Sequence, residues 1–274
     1  MNMEFKPFKP IEEKIFKAYL NSNCNVEIDY YYIIDFEFNG LPRYNFKPEI
    51  SQVKIAKVIG GTTNIVASKI ESYKTHKKTT AGSYLTCGKI QGEGYFTKHK
   101  FLKLLMEVAE PSDLAINPET GKILLYGLVG FSNKTDWEVL SHYNIRFELE
   151  NQYCYTDIQE SLMLSSIELK MAKEGRSMET CYYLLTGKEV APSHGALEEL
   201  YPLIEMWEII YNEKITFHNR LKYFPWGDHG GMPLKKYCEV NRRRADGYRF
   251  NNNDLLAKAL DYYCEKIDSE RYCY

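Results

Sequence analysis

The segment Ile28 to Phe38, IDYYYIIDFEF, restricts the fold more than any other. It is a run of β-branched and aromatic residues, which reads as a strand buried inside a sheet. Asp35 and Glu37 interrupt it one residue apart, so both carboxylates point to the same face of that strand. Two carboxylates side by side on a central strand are costly unless positive charge lies between them. A divalent metal is the usual solution, and hard oxygen ligands favour Mg²⁺ or Mn²⁺. A solvated strand end accounts for the same pattern.

The rest of the chain supplies neighbours for such a strand. Asn39 to Pro42 ends it with turn chemistry. Ile50 to Ile59 alternates apolar and polar residues, which predicts a strand with one covered face. Gly60-Gly61 is a hairpin signal, and Thr63 to Tyr73 returns as a third strand. Lys74 to Thr97 reads as a long polar loop. A helix over Lys98 to Val108 places Phe101, Leu104, Leu105 and Val108 on one face. Ile123 to Val129 is a continuous apolar run, the pattern of a central strand covered on both faces. A helix follows near Asn133, then a short strand at Tyr153 to Tyr155, then helices over Ile158 to Ala172, Met178 to Leu185 and Gly195 to Tyr211.

An antiparallel meander followed by β-α-β units makes an α/β mixed sheet with helices on both faces, the outline of a ribonuclease H-like fold. Ile11 to Leu20 reads as an N-terminal helical appendage within residues 1–27. The texture changes after residue 212, so residues 28–212 are expected to form the main domain and residues 213–274 a small, mainly helical extension. Two short helices are expected there, near Leu234 to Val240 and Asp254 to Ile267, with Asn241 to Arg244 between them.

Composition narrows the class further. The 274 residues carry 35 Lys+Arg against 37 Asp+Glu, which excludes a histone-like polycation but leaves room for a local basic groove. Residues 213–274 hold 12 Lys+Arg and 9 Asp+Glu, a net of +3, which leaves −5 over residues 1–212. The 23 tyrosines read as a compositional bias rather than a stacking device. The seven cysteines include no C-x-x-C pair, Met1 to Pro10 has no apolar leader core, and the longest apolar run contains two glycines. Reduced thiols, a cytoplasmic location and no membrane association are the expectation.

Two later segments bear on the carboxylate pair. Asp136 lies where the helix after the apolar strand begins, an ordinary place for an acid. Ser193 to Leu200 puts His194 at the entry to a helix and Glu199 five residues later. Each is structurally unremarkable alone. The ordered set (D-x-E on the first strand, Asp at a middle helix, H-x4-acid at a late helix) resembles the DEDDh exonucleases, the DnaQ-like 3′–5′ exonuclease family. Ile34 to Gly40 resembles its first motif, Glu49 to Val58 its second strand, Gly130 to Leu140 its second motif, Tyr155 to Ile158 its strand-to-helix step and His194 to Leu200 its third motif. Two positions depart from the family. Phe131 and Ser132 stand where it commonly has His-Asn, and Glu199 stands where it has its last Asp. The extra methylene of Glu moves the oxygens by roughly 1.5 Å unless the helix adjusts.

The resemblance implies hydrolysis of phosphodiester bonds from the 3′ end of single-stranded DNA or RNA, with two divalent cations, Mg²⁺ or Mn²⁺, about 3.5–4 Å apart. It implies that Asp35, Glu37 and Glu199 hold the first ion, that Asp35 bridges to the second, and that Asp136 orients the second ion's shell. His194 would take the proton from the attacking water. Phe38, Asn39, Gly40 and Leu41 would pack on the terminal nucleotide. Some members are dimers, so the resemblance admits a homodimer. In the extension, Arg242, Arg243 and Arg244, with Tyr248 and Phe250 nearby, suit phosphate contact and base stacking, and equally suit a solvated helix face. An alternative use of the same fold is a nucleic-acid-binding or partner-binding module whose catalysis is weakened at Glu199.

Overall fold

A computed structural model of the chain describes residues 30–39, 47–76, 92–110, 114–116, 123–125, 127–132, 134–145, 155–190, 197–252 and 254–272. The expected helix over Ile11 to Leu20, together with Gly40, Leu41 and His194, lies outside these residues. The chain divides into two compact units, Met1–Asp157 with Pro192–Glu208, and Ile158–Ala191 with Ile209–Tyr274.

The first unit is built on a five-stranded mixed sheet. The meander β1 (Tyr30–Phe38), β2 (Ile50–Ile59) and β3 (Ile65–Ser72) is antiparallel. Two later strands, β6 (Leu128–Gly130) and β7 (Tyr155–Asp157), extend the sheet parallel to β1, giving the order β3-β2-β1-β6-β7. This is the ribonuclease H-like arrangement, with β1 at the centre.

The run Ile123 to Val129 is not one strand. It breaks at Gly127, whose φ of 66° lies in the left-handed region open to glycine. The piece before it, β5 (Ile123–Leu125), pairs with β4 (Leu114–Ile116) in a separate two-stranded sheet. Only the piece after it joins the main sheet. Of the short strand expected at Tyr153 to Tyr155, Tyr155 opens β7, which continues to Asp157; Tyr153 and Cys154 lie outside the described residues.

β1 meets the core with alternate residues. Tyr32, Ile34 and Phe36 are buried with Val53 and Ile55 of β2. They pack with Phe101, Leu104, Leu105 and Val108 of α1 (Lys98–Val108), the four residues expected on its apolar face. Thr97 caps α1 by accepting the Lys100 N–H. Val139 and Leu140 of α2 (Lys134–His142) join the same core. β2 departs from expectation, because it is buried along both faces from Ile50 to Val58. Its polar residues Ser51, Gln52 and Lys54 turn inward because each meets a polar partner across the sheet.

The described elements of the second unit are helical. The stretch Ile158 to Ala172 forms two helices rather than one, α3 (Ile158–Met163) and α4 (Glu168–Glu174). Between them Ser165 accepts the Ile167 N–H on its hydroxyl and donates to the Leu162 carbonyl. α5 spans Met178–Thr186, capped by Ser177 and ended at Gly187 in the left-handed region. α6 (Leu200–Tyr211) crosses from the first unit's residues to the second's, and a 3₁₀ turn, Leu197–Glu199, leads into it. The extension carries three helices: α7 (Leu234–Val240), α8 (Arg242–Asn251) and α9 (Leu255–Tyr272). The arginines placed between helices in the sequence reading therefore open a helix of their own.

Candidate metal centre

The site grows from the face of β1 opposite the core. Ile33, Asp35 and Glu37 share that face, and across the antiparallel ladder their partners are Ala56, Lys54 and Gln52. A register shift between Glu37 and Phe38 marks a β-bulge, with the Ser51 hydroxyl donating to the Glu37 carbonyl at 3.1 Å. A bulge here bends the strand end and re-aims its side chains.

Glu199 arrives from far along the chain. The 3₁₀ turn that carries it is held by α6, whose Leu200, Leu203, Ile204 and Trp207 form a buried stripe. Trp207 packs against Tyr31 of β1 with ring centroids 4.7 Å apart. That anchoring brings Glu199, and not the exposed Glu198, to Asp35 and Glu37. One carboxylate oxygen from each of Asp35, Glu37 and Glu199 lies within 4.8 Å of the others.

Lys54 stands among them. Its ammonium donates to Asp35 Oδ2 at 3.0 Å, to Glu37 Oε1 at 2.9 Å, and to Glu199 Oε2. Its side chain is fully buried, while the Asp35 and Glu37 carboxylates remain partly open to solvent. An ammonium carries three donors, and here each has its own carboxylate. The surrounding acids hold Lys54 well above its ordinary value against the opposing effect of burial. Burial and Asp35 push Glu37 upward, with Lys54 pulling it back.

Asp136 sits in the first turn of α2 and is not one of the three converging carboxylates. Burial, then Asp35, Asp157 and Glu37, push its carboxyl up to about 9, so it is protonated at neutral pH. Asp157, at the end of β7, accepts the Ser132 N–H at 3.2 Å. Ser132 itself adopts a left-handed φ of 54°. The cluster thus offsets its negative charge in two ways, with one internal cation and one neutral acid.

Of the residues expected at the nucleotide end, Phe38 is half-buried and stacks on Phe36 with centroids 6.4 Å apart. Asn39 is buried; its side-chain Nδ2 donates to Glu49 Oε2 at 3.1 Å, and its Oδ1 accepts the Glu49 backbone N–H at 2.7 Å. Glu49 also holds His76, whose ring stacks on Tyr95 at 3.7 Å.

The arginine cluster lies in the second unit. Arg242 makes a two-pronged contact with Asp268, at 2.9 and 2.6 Å, and also reaches Asp246. Arg243 and Arg244 are exposed, as is Phe250. Lys54 and Asp157 are site residues that sequence reading missed. The signal for Lys54 was a cation at an even step from Gln52 on a strand adjoining the D-x-E strand.

No protein-family model matches the chain, and no curated protein matches it. Similar solved structures include E. coli exonuclease I in complex with a dT13 oligonucleotide, 13% identical over 68% of this chain with a TM-score of 0.46. The chain spans 42% of that protein's length. A 3′-exonuclease described in 3′-end-specific recognition of a histone mRNA stem-loop is 13% identical over 72% of this chain and 87% of its own, with a TM-score of 0.49. The nuclease domain of 3′hExo, a DEDDh family member bound to rAMP, is 12% identical over 72% of this chain and 100% of its own, with a TM-score of 0.48. No helix among the described residues is long and apolar enough to cross a membrane.

Proposed function

We propose that this chain is a metal-dependent 3′–5′ exonuclease acting on single-stranded DNA or RNA. The observation that carries the reading is the convergence of Asp35 and Glu37 with Glu199, from two distant parts of the chain, on one small volume. Three carboxylate oxygens so placed match the hard-oxygen preference of Mg²⁺ or Mn²⁺. Held by these carboxylates, a divalent cation would supply an activated water and offset the phosphodiester charge that repels it.

In this reading Asp35, Glu37 and Glu199 would hold the first ion, and Asp35 and Asp136 would be available to a second. His194, five residues before Glu199, accepts the proton of the attacking water as a general base. Phe38 to Leu41 pack against the terminal nucleotide. Arg243, Gly247 and Phe250 follow at i, i+4 and i+7 on α8 and are all exposed, which suits phosphate contact with base stacking. Arg242, committed to Asp268 and Asp246, orders that helix rather than touching substrate.

A second reading has its own support. The three carboxylates are already satisfied by the Lys54 ammonium, which favours a nucleic-acid-binding module with weakened catalysis. Single-stranded DNA and RNA carrying a 5′ label, incubated with Mn²⁺ or Mg²⁺, distinguish the two. An exonuclease shortens them stepwise from the 3′ end and stops with EDTA or with Asp35→Ala. Binding without shortening under every metal condition leaves the second reading alone.

A further inference from the structure

Lys54 and a divalent ion claim the same place. The residues whose oxygens lie within 4.8 Å of one another are Asp35, Glu37 and Glu199, and the ammonium of Lys54 donates to all three. The placement follows from the backbone. Asp35 and Lys54 are directly paired on antiparallel strands, so their side chains leave the sheet on one face. Glu37 lies two residues on, on the same face, and the four-carbon stem of Lys54 spans the distance to it. The whole side chain is buried, with its ammonium held among the three carboxylates.

An ammonium and a divalent ion repel, and one set of three oxygens serves only one of them at contact distance. Loading a metal therefore requires the Lys54 ammonium to leave and to give up three charge-assisted hydrogen bonds. Such bonds are stronger than those between neutral partners. We propose that Lys54 is a resident counter-ion that competes with the divalent cation, stabilising the metal-free site and setting the metal concentration at which it loads. The inference rests on the metal reading of the carboxylate cluster and adds a regulatory element to it.

The test is direct titration of Mn²⁺ into the purified chain, with free Mn²⁺ read by electron paramagnetic resonance, for wild type and Lys54→Gln. Competition predicts that Lys54→Gln binds Mn²⁺ at least about tenfold more tightly, a difference of about 1.4 kcal/mol. Equal affinities overturn the competition and leave the carboxylates as a metal site. No binding by either protein overturns the metal reading itself, and the inference with it. Acylation of lysines in wild type, followed by mass spectrometry of the Lys54 peptide, keeps the test independent of how the variant folds. Mn²⁺ should raise Lys54 labelling several-fold as the ammonium leaves its carboxylates. Labelling that Mn²⁺ does not change contradicts displacement.

Discussion

Lys54 faces Asp35 across the β1–β2 ladder, and its ammonium meets that carboxylate at 3.0 Å inside the protein. Removing a buried cation leaves its acids uncompensated, whereas removing one acid of three relieves repulsion between the others. In EDTA, Lys54→Met should therefore lose about 3–5 kcal/mol of stability. Asp35→Asn should hold or gain stability under the same conditions. Urea denaturation measures both, and added Mn²⁺ should return most of the loss in Lys54→Met. Equal destabilisation by the two changes would show that packing, not charge, holds the cluster.

Asp136 makes metal-free stability depend on pH. Its carboxyl keeps its proton up to about 9 in the folded protein, against an ordinary value of 3.8. Between those limits the folded state binds more protons than the unfolded one, so this residue makes stability fall as pH rises through about 9. Asp136→Asn keeps the shape and cannot titrate. Its stability should exceed that of wild type by a margin that widens from pH 5 to about pH 9. Parallel pH curves for the two proteins in EDTA would contradict the raised value.

Gly127 separates β5 from β6 with a φ of 66°. A side chain there is forced into the left-handed region at a cost of about 1–2 kcal/mol. Gly127→Ala should lower Tm by roughly 2–8 °C. An unchanged Tm would mean that the backbone at this point is free to relax to negative φ.

The arginines of α8 should separate by role. Arg242→Met breaks the contacts to Asp268 and Asp246 and should lower the thermal stability of the chain with little change in the salt dependence of oligonucleotide binding. Arg243→Glu with Arg244→Glu should do the reverse, flattening the dependence of affinity on salt by about two phosphate contacts. Fluorescence anisotropy across a salt series reads both. A slope untouched by the double change removes α8 from the substrate surface.

Where a segment carried a single clear periodicity, the sequence was a sound guide. β1 and α1 are such segments, and the residues expected to be buried in α1 are the buried ones. Asp35 and Glu37 were legible as neighbours because a strand's two-residue repeat leaves no other arrangement. Lys54 was not, because a polar residue on an alternating strand reads as solvent-facing, and only the pairing register turns it inward. Ile123 to Val129 misled for a related reason, since an apolar run conceals a glycine that changes sheets. α8 escaped because only Ala245 of its ten residues is buried. Charge ties it instead, through Arg242 to Asp246 and Asp268, and through Arg249 to Asp246 and Asp261.

The most direct measurement is a crystal structure of the chain soaked in Mn²⁺, with data collected at the manganese absorption edge. The account predicts an anomalous peak bounded by Asp35, Glu37 and Glu199, with the Lys54 ammonium withdrawn from it, and a stronger peak in Lys54→Gln at the same Mn²⁺ concentration. No peak at those carboxylates in either protein, with Lys54 still seated among them or absent from them, would contradict it.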